Sequence, residues 1–440
     1  MTPSKPLSDK ATNPSHKGSL GIAGLTVHLM GSVLGAGILI LPGAALHMAG
    51  PASIAAWAGL IAFSYAFAWT LVRLSVENQD CHGLALFARR AFGMPWERSV
   101  GLLLALAVIT MPPTYAIAAA QYLAALDLVP PHWPPQLIGI GVVLLGVGLN
   151  LVGLRLGTRV QIILVSSIAA MLLTAVAAAL PAANPAHLVP FAPNGWAAVG
   201  TAMALCFFSV LGWENAAPLY REVWDPERTL PRAVLLAVTL VGALYLALTA
   251  TIALTVHWTD EASLASPVSI MLATTIGTFG RRGGDLVALV LLFVCANAWH
   301  LTLTRLLHAF SCNRMLPVWC SRVSASSGAP VRICLLAAAA YVVFLVGSWG
   351  FDVFAPTVMG LTSAMFLVVY AVTLLAAWRL LKPPSERAIA VLSLTAVVLM
   401  MVCYSAVVAP VALGFLTSLV TFAWTGRRHT SEHRPSLRST

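Results

Sequence analysis

Apolar residues dominate the chain in long runs, and short polar or proline-rich segments separate these runs. A run of about 20 apolar residues is the length that an α-helix needs to cross a bilayer. The pattern therefore predicts an all-α polytopic membrane protein with about twelve transmembrane helices, which we number spans 1–12. Their predicted bounds are Ile22–Met48, Ser53–Leu74, Arg98–Leu126, Gln136–Leu154, a fifth span that ends near Leu180, Ala197–Leu219, Val234–Val256, Asp285–Phe310, Arg332–Trp349, Phe354–Leu381, Ile389–Val408 and Val411–Trp424.

Composition and charge agree with a membrane protein and predict its orientation. The chain is 59% hydrophobic and 9% charged, whereas soluble domains carry about 25% charged residues. Of its 25 Lys and Arg, all but Arg281 and Arg282 lie in the termini or in loops after even-numbered spans. Because basic loops stay in the cytoplasm, both termini are predicted to be cytoplasmic. The alanine-rich spans favour a bacterial inner membrane, and the scattered charges exclude a nucleic-acid partner.

A single membrane domain is predicted over residues 21–425, between a flexible cytoplasmic N-terminus (1–20) and a basic cytoplasmic tail (426–440). The segment His82–Gly93, between spans 2 and 3, predicts a short interfacial helix. The seven cysteines form no CxxC pair, so neither a disulfide nor a metal site is expected. The sequence contains no HExxH and no GxSxG motif, and we expect no enzyme activity and no cofactor.

The middle of span 1 carries the first sign of function. The stretch Leu29–Pro42 reads LMGSVLGAGILILP and has three glycines within seven residues. Glycine weakens a helix by about 1 kcal/mol relative to alanine, and broken backbone at mid-depth persists only where it is buried in protein or lines a cavity. A broken helix offers free N–H groups to an anion and free C=O groups to a cation, as in transporters of zwitterions. Close packing of helices through small residues is the alternative.

Span 6 repeats this pattern and adds a charge. Its segment Cys206–Pro218 reads CFFSVLGWENAAP, with a glycine in the middle and Glu214 beyond it. Glu214 is the only acidic residue that the predicted bounds place well inside a span, and an intramembrane carboxylate usually marks function. The alternative is a carboxylate near the cytoplasmic interface that pairs with Arg221.

A few more polar residues lie within the spans. Tyr115 follows the proline pair Pro112-Pro113 of span 3, which is expected to kink that helix. Asn297 and His300 of span 8 are three residues apart and therefore share a helix face. They either line a polar track or, like most lone polar groups in membranes, hold helices together.

The two glycine-weakened spans predict the topology. Each opens a group of five spans, and because five is odd the second group enters the membrane from the opposite side. The chain is therefore predicted to form a five-plus-five inverted repeat with broken spans 1 and 6 and a site between them. Repeat one covers about 22–180 and repeat two about 197–381, and spans 11 and 12 (about 389–424) are two extra C-terminal helices.

These segments resemble the amino acid–polyamine–organocation superfamily of transporters. GSVLGAGIL of span 1 is similar to its glycine-rich break, and FFSVLGWEN followed by DPERTLPRA is similar to its span 6 segment and the loop beyond it. RLLHAFSCNRMLPVW followed by GAPVR is similar to the family's stretch after span 8, and HGLALFARRAFG is similar to one of its loops. The chain most resembles the branch of bacterial exporters of methionine and branched-chain amino acids. It departs from the family at Asp225, at Asn313 and in the lack of a lysine within span 5, which leaves the coupling ion open.

The resemblance implies roles for particular residues. Backbone N–H groups of span 1 would receive the carboxylate of an amino acid, carbonyls of span 6 would receive its ammonium, and Tyr115 would lie nearby. Phe208 stands where relatives have an aromatic gate, and Glu214, Asn297 and His300 are the candidates for gating or coupling. The substrate-binding candidates are Ser32, Val33, Leu34, Gly35, Ala36, Gly37, Cys206, Phe207, Phe208, Ser209 and Tyr115.

The resulting hypothesis is a secondary active transporter of neutral, apolar amino acids such as methionine, leucine, isoleucine and valine. Its partners would be the amino acid, protons and the lipid bilayer, with export by proton antiport and alternating access. Glu214 is the first candidate for the proton site. His300 is the alternative, because an unperturbed imidazole has a pKa of about 6.5. Proton-linked uptake, or exchange, of amino acids or amines is the alternative function.

Overall fold

The computed structural model describes residues 21–35, 37–78, 83–130, 132–151, 158–221, 223–260, 267–312, 316–324, 330–350 and 355–432. These residues form fourteen α-helices joined by short 3-10 turns, with no β-strand among them. The helices are α1 (Ile22–Val33), α2 (Gly37–Ala49), α3 (Ser53–Asn78), α4 (Leu84–Phe92), α5 (Met94–Ala125), α6 (Pro135–Leu151), α7 (Thr158–Ala179), α8 (Gly195–Cys206), α9 (Pro226–Thr255), α10 (Pro267–Cys312), α11 (Val331–Gly350), α12 (Ala355–Leu380), α13 (Pro384–Cys403) and α14 (Ser405–Glu432).

The helices confirm the all-α polytopic fold. Among the described residues, ten stretches are long and apolar enough to cross a membrane, and one of them, Gly37–Glu77, covers α2 and nearly all of α3. The shorter apolar helices α1 and α6 complete the set, because α1 and α2 are the two halves of span 1. Helix α4 corresponds to the short helix that was predicted between spans 2 and 3.

The boundaries predicted after span 6 and at the start of span 12 were wrong. The charged segment after span 6 was expected to be a loop as far as Ala233, but α9 begins at Pro226. Proline is favoured in the first turn of a helix because its missing N–H needs no partner there, and Asp225 just before it takes a left-handed φ of 47°. Span 12 begins at Ser405, with Pro410 inside α14, whereas the sequence placed the junction at residues 409–410.

Helix α5 lies at the centre of the packing. It packs against α10, α6 and α12, and it continues without interruption through Pro112 and Pro113, which are both buried. The proline pair therefore does not end span 3, because neighbouring helices surround it. This central position lets one helix contact both the broken part of span 1 and the polar residues of α10.

The prediction from this packing concerns Gly242 of α9. A Cβ there would lie 2.7 Å from Cγ2 of Ile61 on α3, and α3 and α9 form one of the larger helix contacts. We expect Gly242→Leu to lower the free energy of unfolding by about 1–3 kcal/mol through overpacking. The measurement is the melting temperature of the detergent-solubilised protein.

The matched control is Gly141→Leu on α6, because Gly141 is exposed and a Cβ there meets nothing within 4 Å. This control is expected to have the same melting temperature as the unmodified protein. Equal melting temperatures for the two variants would contradict the described contact between α3 and α9.

Candidate functional site

Span 1 is broken where the sequence predicted. Helix α1 ends at Val33, Leu34 is extended with φ −67° and ψ 90°, and α2 begins at Gly37. The N–H of Leu34 donates to the Met30 carbonyl at 2.7 Å, which closes the last turn of α1. Span 1 is therefore interrupted between Val33 and Gly37, and Ala36 lies outside the described residues.

Span 6 is broken in a different way. Helix α8 ends at Cys206, a 3-10 turn covers Phe207–Val210, and a second one runs over Trp213–Arg221. Between the two turns, Gly212 takes a φ of +127°, a conformation that side-chain-bearing residues rarely adopt. Both interruptions on which the fold prediction depended are therefore present, and the alternative of simple close packing is insufficient.

The two breaks lie directly against each other. A Cβ built on Gly37 would be 2.2 Å from Oγ of Ser209 and 2.9 Å from its Cα. A Cβ on Gly212 would be 2.4 Å from the carbonyl oxygen of Ser32. Each break thus supplies a glycine against which the backbone of the other break packs, and no larger residue fits at either point.

Tyr245 of α9 joins the breaks by hydrogen bonds. Its hydroxyl lies 3.0 Å from the Val33 carbonyl and 3.0 Å from the Ser209 carbonyl. A tyrosine hydroxyl carries one proton, so it can donate to only one of these two oxygens at a time. The other carbonyl can accept a further donor, and Trp57 holds the tyrosine ring by an edge contact at 5.3 Å. Sequence reasoning missed this residue.

Aromatic and sulfur-bearing side chains lie over the break in span 1. The ring of Tyr115 meets the ring of Phe208 edge-on at 5.9 Å, and its hydroxyl would be 3.4 Å from a Cβ on Gly35. Sγ of Cys295 on α10 lies 3.8 Å from the Leu34 carbonyl. The structure therefore brings Tyr115 and Phe208 to the break, as the sequence predicted.

The side chains of three other candidates are already engaged, Ser32 within its own helix α1 and Cys206 and Phe207 with neighbouring helices. Ser32 donates to the His28 carbonyl at 3.1 Å, and Sγ of Cys206 lies 3.9 Å from the Leu41 carbonyl of α2. Phe207 points into a cluster of rings, 5.7 Å from Phe63. For these residues only the backbone is available to a ligand at the breaks.

Glu214 makes two hydrogen bonds. Its Oε2 accepts from the Tyr370 hydroxyl at 2.5 Å and from the Gly212 N–H at 2.9 Å. The Tyr370 ring stacks on Phe67 at 4.0 Å and meets Phe207 edge-on at 5.4 Å. The carboxylate is therefore tied to the left-handed turn of span 6 and to α12. The Arg221 side chain, its alternative partner, lies outside the part that the structure describes.

Asn297 and His300 lie in a separate cavity, and the structure does not bring them to the breaks. Asn297 bonds to Asn150 of α6, and Nδ1 of His300 lies 3.1 Å from the Tyr341 hydroxyl of α11. Pro112 of α5 lines the same cavity, which has room for about one water molecule. These contacts hold α10 against α6 and α11, in line with the second interpretation of the sequence.

Asp285 corrects the view that Glu214 is the only acidic residue well inside a span. It was predicted to mark the start of span 8, but the membrane-length stretch of α10 already begins at Ile276, and Asp285 is 0% exposed. The basic residues Arg281 and Arg282 just before it made the segment resemble a loop.

Comparisons with known proteins agree with this architecture. A family model described as amino acid permease matches residues 20–429. An uncharacterized amino acid permease of Bacillus subtilis, YecA, is 28% identical over 356 residues, which cover 81% of this chain and 84% of that protein. The L-methionine/branched-chain amino acid exporter YjeH of Escherichia coli is 29% identical over 233 residues, covering 52% of this chain and 54% of that protein.

The fold also matches a solved transporter structure. The manganese transporter of Eremococcus coleocola, solved with a bis-isothiourea compound, superposes with a TM-score of 0.62 and covers 93% of this chain and 97% of its own. At 14% identity this likeness concerns the fold alone.

The geometry predicts that Gly37→Ala separates the two breaks. Because its Cβ would collide with Ser209, we expect a loss of about 1–3 kcal/mol in the free energy of unfolding through overpacking. The second-site variant Gly37→Ala with Ser209→Gly removes Oγ and Cβ of Ser209 and is expected to recover part of the loss. Thermal unfolding in nanodiscs measures both.

Gly148→Ala on α6 is the matched control, since a Cβ there has no atom within 4 Å. A Gly37→Ala variant as stable as this control would contradict the close approach of the two breaks.

Proposed function

The chain belongs to the amino acid permease family, and from this premise we propose that it exports neutral, apolar amino acids in exchange for protons by alternating access. We place it in the inner membrane of a bacterium with both termini in the cytoplasm, as its basic loops favour. The exporter YjeH, although it matches only about half of the chain, supports methionine and branched-chain amino acids as the substrate class.

One observation carries the proposal: the two helix breaks meet at the Tyr245 hydroxyl, which can donate a hydrogen bond to only one of the two nearby carbonyls at a time. The ammonium of an amino acid has three protons to donate, and it would bind at the Val33 and Ser209 carbonyls beside Tyr245. The carboxylate would bind the N–H groups where α2 begins at Gly37, because a helix N-terminus attracts anions.

The surroundings support an apolar side chain. Phe208, Tyr115 and Cys295 are buried around the break, and none of the contacts described at the breaks involves a Lys or Arg that would select an acidic side chain. A largely apolar pocket with a few placed polar groups is the usual form of a small-molecule site. Phe208 would close over the bound side chain, since its ring is in contact with Tyr115.

Glu214 is our candidate for the proton site. A carboxylate within a membrane protein is costly and usually functional, and this one bonds to the Gly212 N–H inside the break of span 6. Adding a proton to its carboxylate would remove one charge from a group that is bound to the moving part of the site. Proton binding and rearrangement of span 6 would thereby be linked.

The test of the function is counterflow in proteoliposomes that contain the purified protein. Vesicles are loaded with one unlabelled amino acid, and uptake of a panel of radiolabelled amino acids is measured, with and without a pH gradient. We expect saturable exchange of methionine, leucine, isoleucine and valine, and none of lysine, glutamate or putrescine. Exchange restricted to amines, or none at all, would contradict the proposal.

Direction is tested by the pH gradient in the same vesicles. An antiporter accumulates substrate on the acidic side of the membrane, whereas a proton symporter accumulates it on the alkaline side. We expect accumulation on the acidic side. Accumulation on the alkaline side would favour proton-linked uptake, the alternative function.

Glu214→Gln is predicted to abolish most of the response to the pH gradient while exchange at equal pH continues, because the amide cannot bind the proton. Tyr370→Phe removes one of the two described hydrogen bonds to the carboxylate and is expected to shift the pH profile without abolishing it. The measurement is the initial rate of exchange as a function of pH, from about 5.5 to about 8.

Glu227→Gln serves as the control, because Glu227 is an exposed carboxylate in the first turn of α9. If Glu214→Gln keeps the unmodified pH profile, the proton site is not Glu214, and His300→Gln becomes the next variant to measure.

A further inference from the structure

A buried carboxylate lies away from the two breaks, in a hairpin that begins α10. The hairpin consists of the short helix from Pro267, a turn at Gly277 and the following turns as far as Asp285. Gly277 has φ 64° and ψ −150°, which reverses the chain. A Cβ on Gly280 would lie 2.8 Å from the Leu272 carbonyl, although residues eight apart in a straight helix are about 12 Å apart. We call this segment, 267–285, the outer hairpin.

The outer hairpin is tightly closed around its inner end. A Cβ on Gly284 would be 3.2 Å from Oγ of Ser269 and 3.1 Å from Cδ1 of Leu272. Ser269 and Asp285 are both 0% exposed. The two arms of the hairpin therefore meet without room for a larger side chain, and Asp285 is enclosed at the point where they meet.

Asp285 has no partner at full hydrogen-bond geometry in the described part of the chain. Both of its carboxylate oxygens, and the hydroxyl of Ser269, are buried without one, although the Ser269 hydroxyl is near enough to stabilise the charged form in part. A buried carboxylate with one weak hydroxyl contact and no buried cation is disfavoured in its charged form. The closed hairpin thus suits a neutral carboxyl group, which needs one proton.

The charged and titratable groups around Asp285 do not neutralise its carboxylate in place of a bound proton. Arg281, one turn earlier on the same helix, is near enough to interact electrostatically, but its side chain is exposed. Arg282 pairs with Asp127 at 3.2 Å. Tyr122 of α5 also lies near Asp285, and its hydroxyl is 3.5 Å from the Leu39 carbonyl of α2.

We propose that Asp285 is a proton-binding site that links closure of the outer hairpin to proton uptake on the side of the membrane opposite the cytoplasm. A hydronium ion in the outer water gives one proton to the carboxylate and leaves a water molecule, and the neutral carboxyl group is then enclosed. On opening, water reaches the group, takes the proton back and stabilises the carboxylate. Low pH outside therefore favours the closed hairpin.

This inference adds a second titrating group to the proposed function and depends on it for the sidedness. Tyr122 provides the connection to the site, because it is near enough to Asp285 to interact electrostatically and its hydroxyl approaches the Leu39 carbonyl of α2, the second half of broken span 1. Closure of the hairpin would hold α2 in place, so the outer end of the transport route would close more often in acid.

The test measures hydrogen exchange of the hairpin amides in the full-length protein in nanodiscs at several pH values, corrected for the intrinsic pH dependence of exchange. For one linked proton, protection in the unmodified protein is expected to rise as pH falls, by at most about tenfold per pH unit. Asp285→Asn, a neutral mimic, is expected to stay protected at every pH. Asp127→Asn, an exposed acid whose pairing with Arg282 lies on the surface, should keep the unmodified behaviour.

Asp285→Glu keeps a titrating group and is expected to retain the pH dependence, which guards against a variant that merely misfolds. The inference is overturned if Asp285→Asn keeps the full pH dependence of protection, or if the unmodified protein shows none. Because this readout needs no substrate, it is independent of the counterflow panel. If protection of the hairpin depends on pH but no amino acid is exchanged, only the proposed function is contradicted. If amino acids are exchanged but protection of the hairpin does not depend on pH, only this inference is contradicted.

Discussion

The centre of this protein depends on how the peptide groups of two interrupted helices are paired where water is excluded. An unpaired backbone group in a bilayer core costs several kcal/mol, so broken helices persist there only when other parts of the protein receive them. Here the two breaks pack against each other, and the Tyr245 hydroxyl lies within hydrogen-bond distance of one carbonyl from each. Gly37 lies on Ser209, and Gly212 lies on the carbonyl of Ser32. Neither break would be stable alone.

Tyr245 leaves the hydrogen bonding of the two breaks incomplete, which provides a place for a ligand to bind. With one proton for two carbonyls, it pairs the breaks but leaves acceptor capacity between them. A ligand with several N–H donors can complete the pairing, so binding and order at the breaks reinforce each other. Under the proposed function, the substrate site would therefore include α9 as well as spans 1 and 6.

The surrounding helices connect this centre to the rest of the molecule. Helix α5 brings Tyr115 to the break and Pro112 to the cavity of His300. Glu214 ties the turn of span 6 to Tyr370 of α12. The two breaks therefore contact α5 and α12 through single residues, and α5 connects them in turn to the cavity of His300 on α10.

Much of the fold was predictable because spans depend on local composition. Glycines in the middle of apolar runs identified both breaks, and the structure has Tyr115 and Phe208 beside them. Tyr245 could not be found this way, since its partners are 212 and 36 residues away and one tyrosine in an apolar helix has no distinctive pattern. Asp285 was misjudged because the arginines before it resemble a loop. The spacing of Asn297 and His300 predicted a shared face but not which neighbours it meets.

The most direct measurement is an experimental structure of the protein with methionine or leucine bound in a lipid nanodisc. The account predicts the ammonium within hydrogen-bond distance of the Val33 and Ser209 carbonyls, with the carboxylate at the N–H groups that precede and begin α2. An amino acid bound elsewhere, or spans 1 and 6 running as unbroken helices through the bilayer, would contradict it.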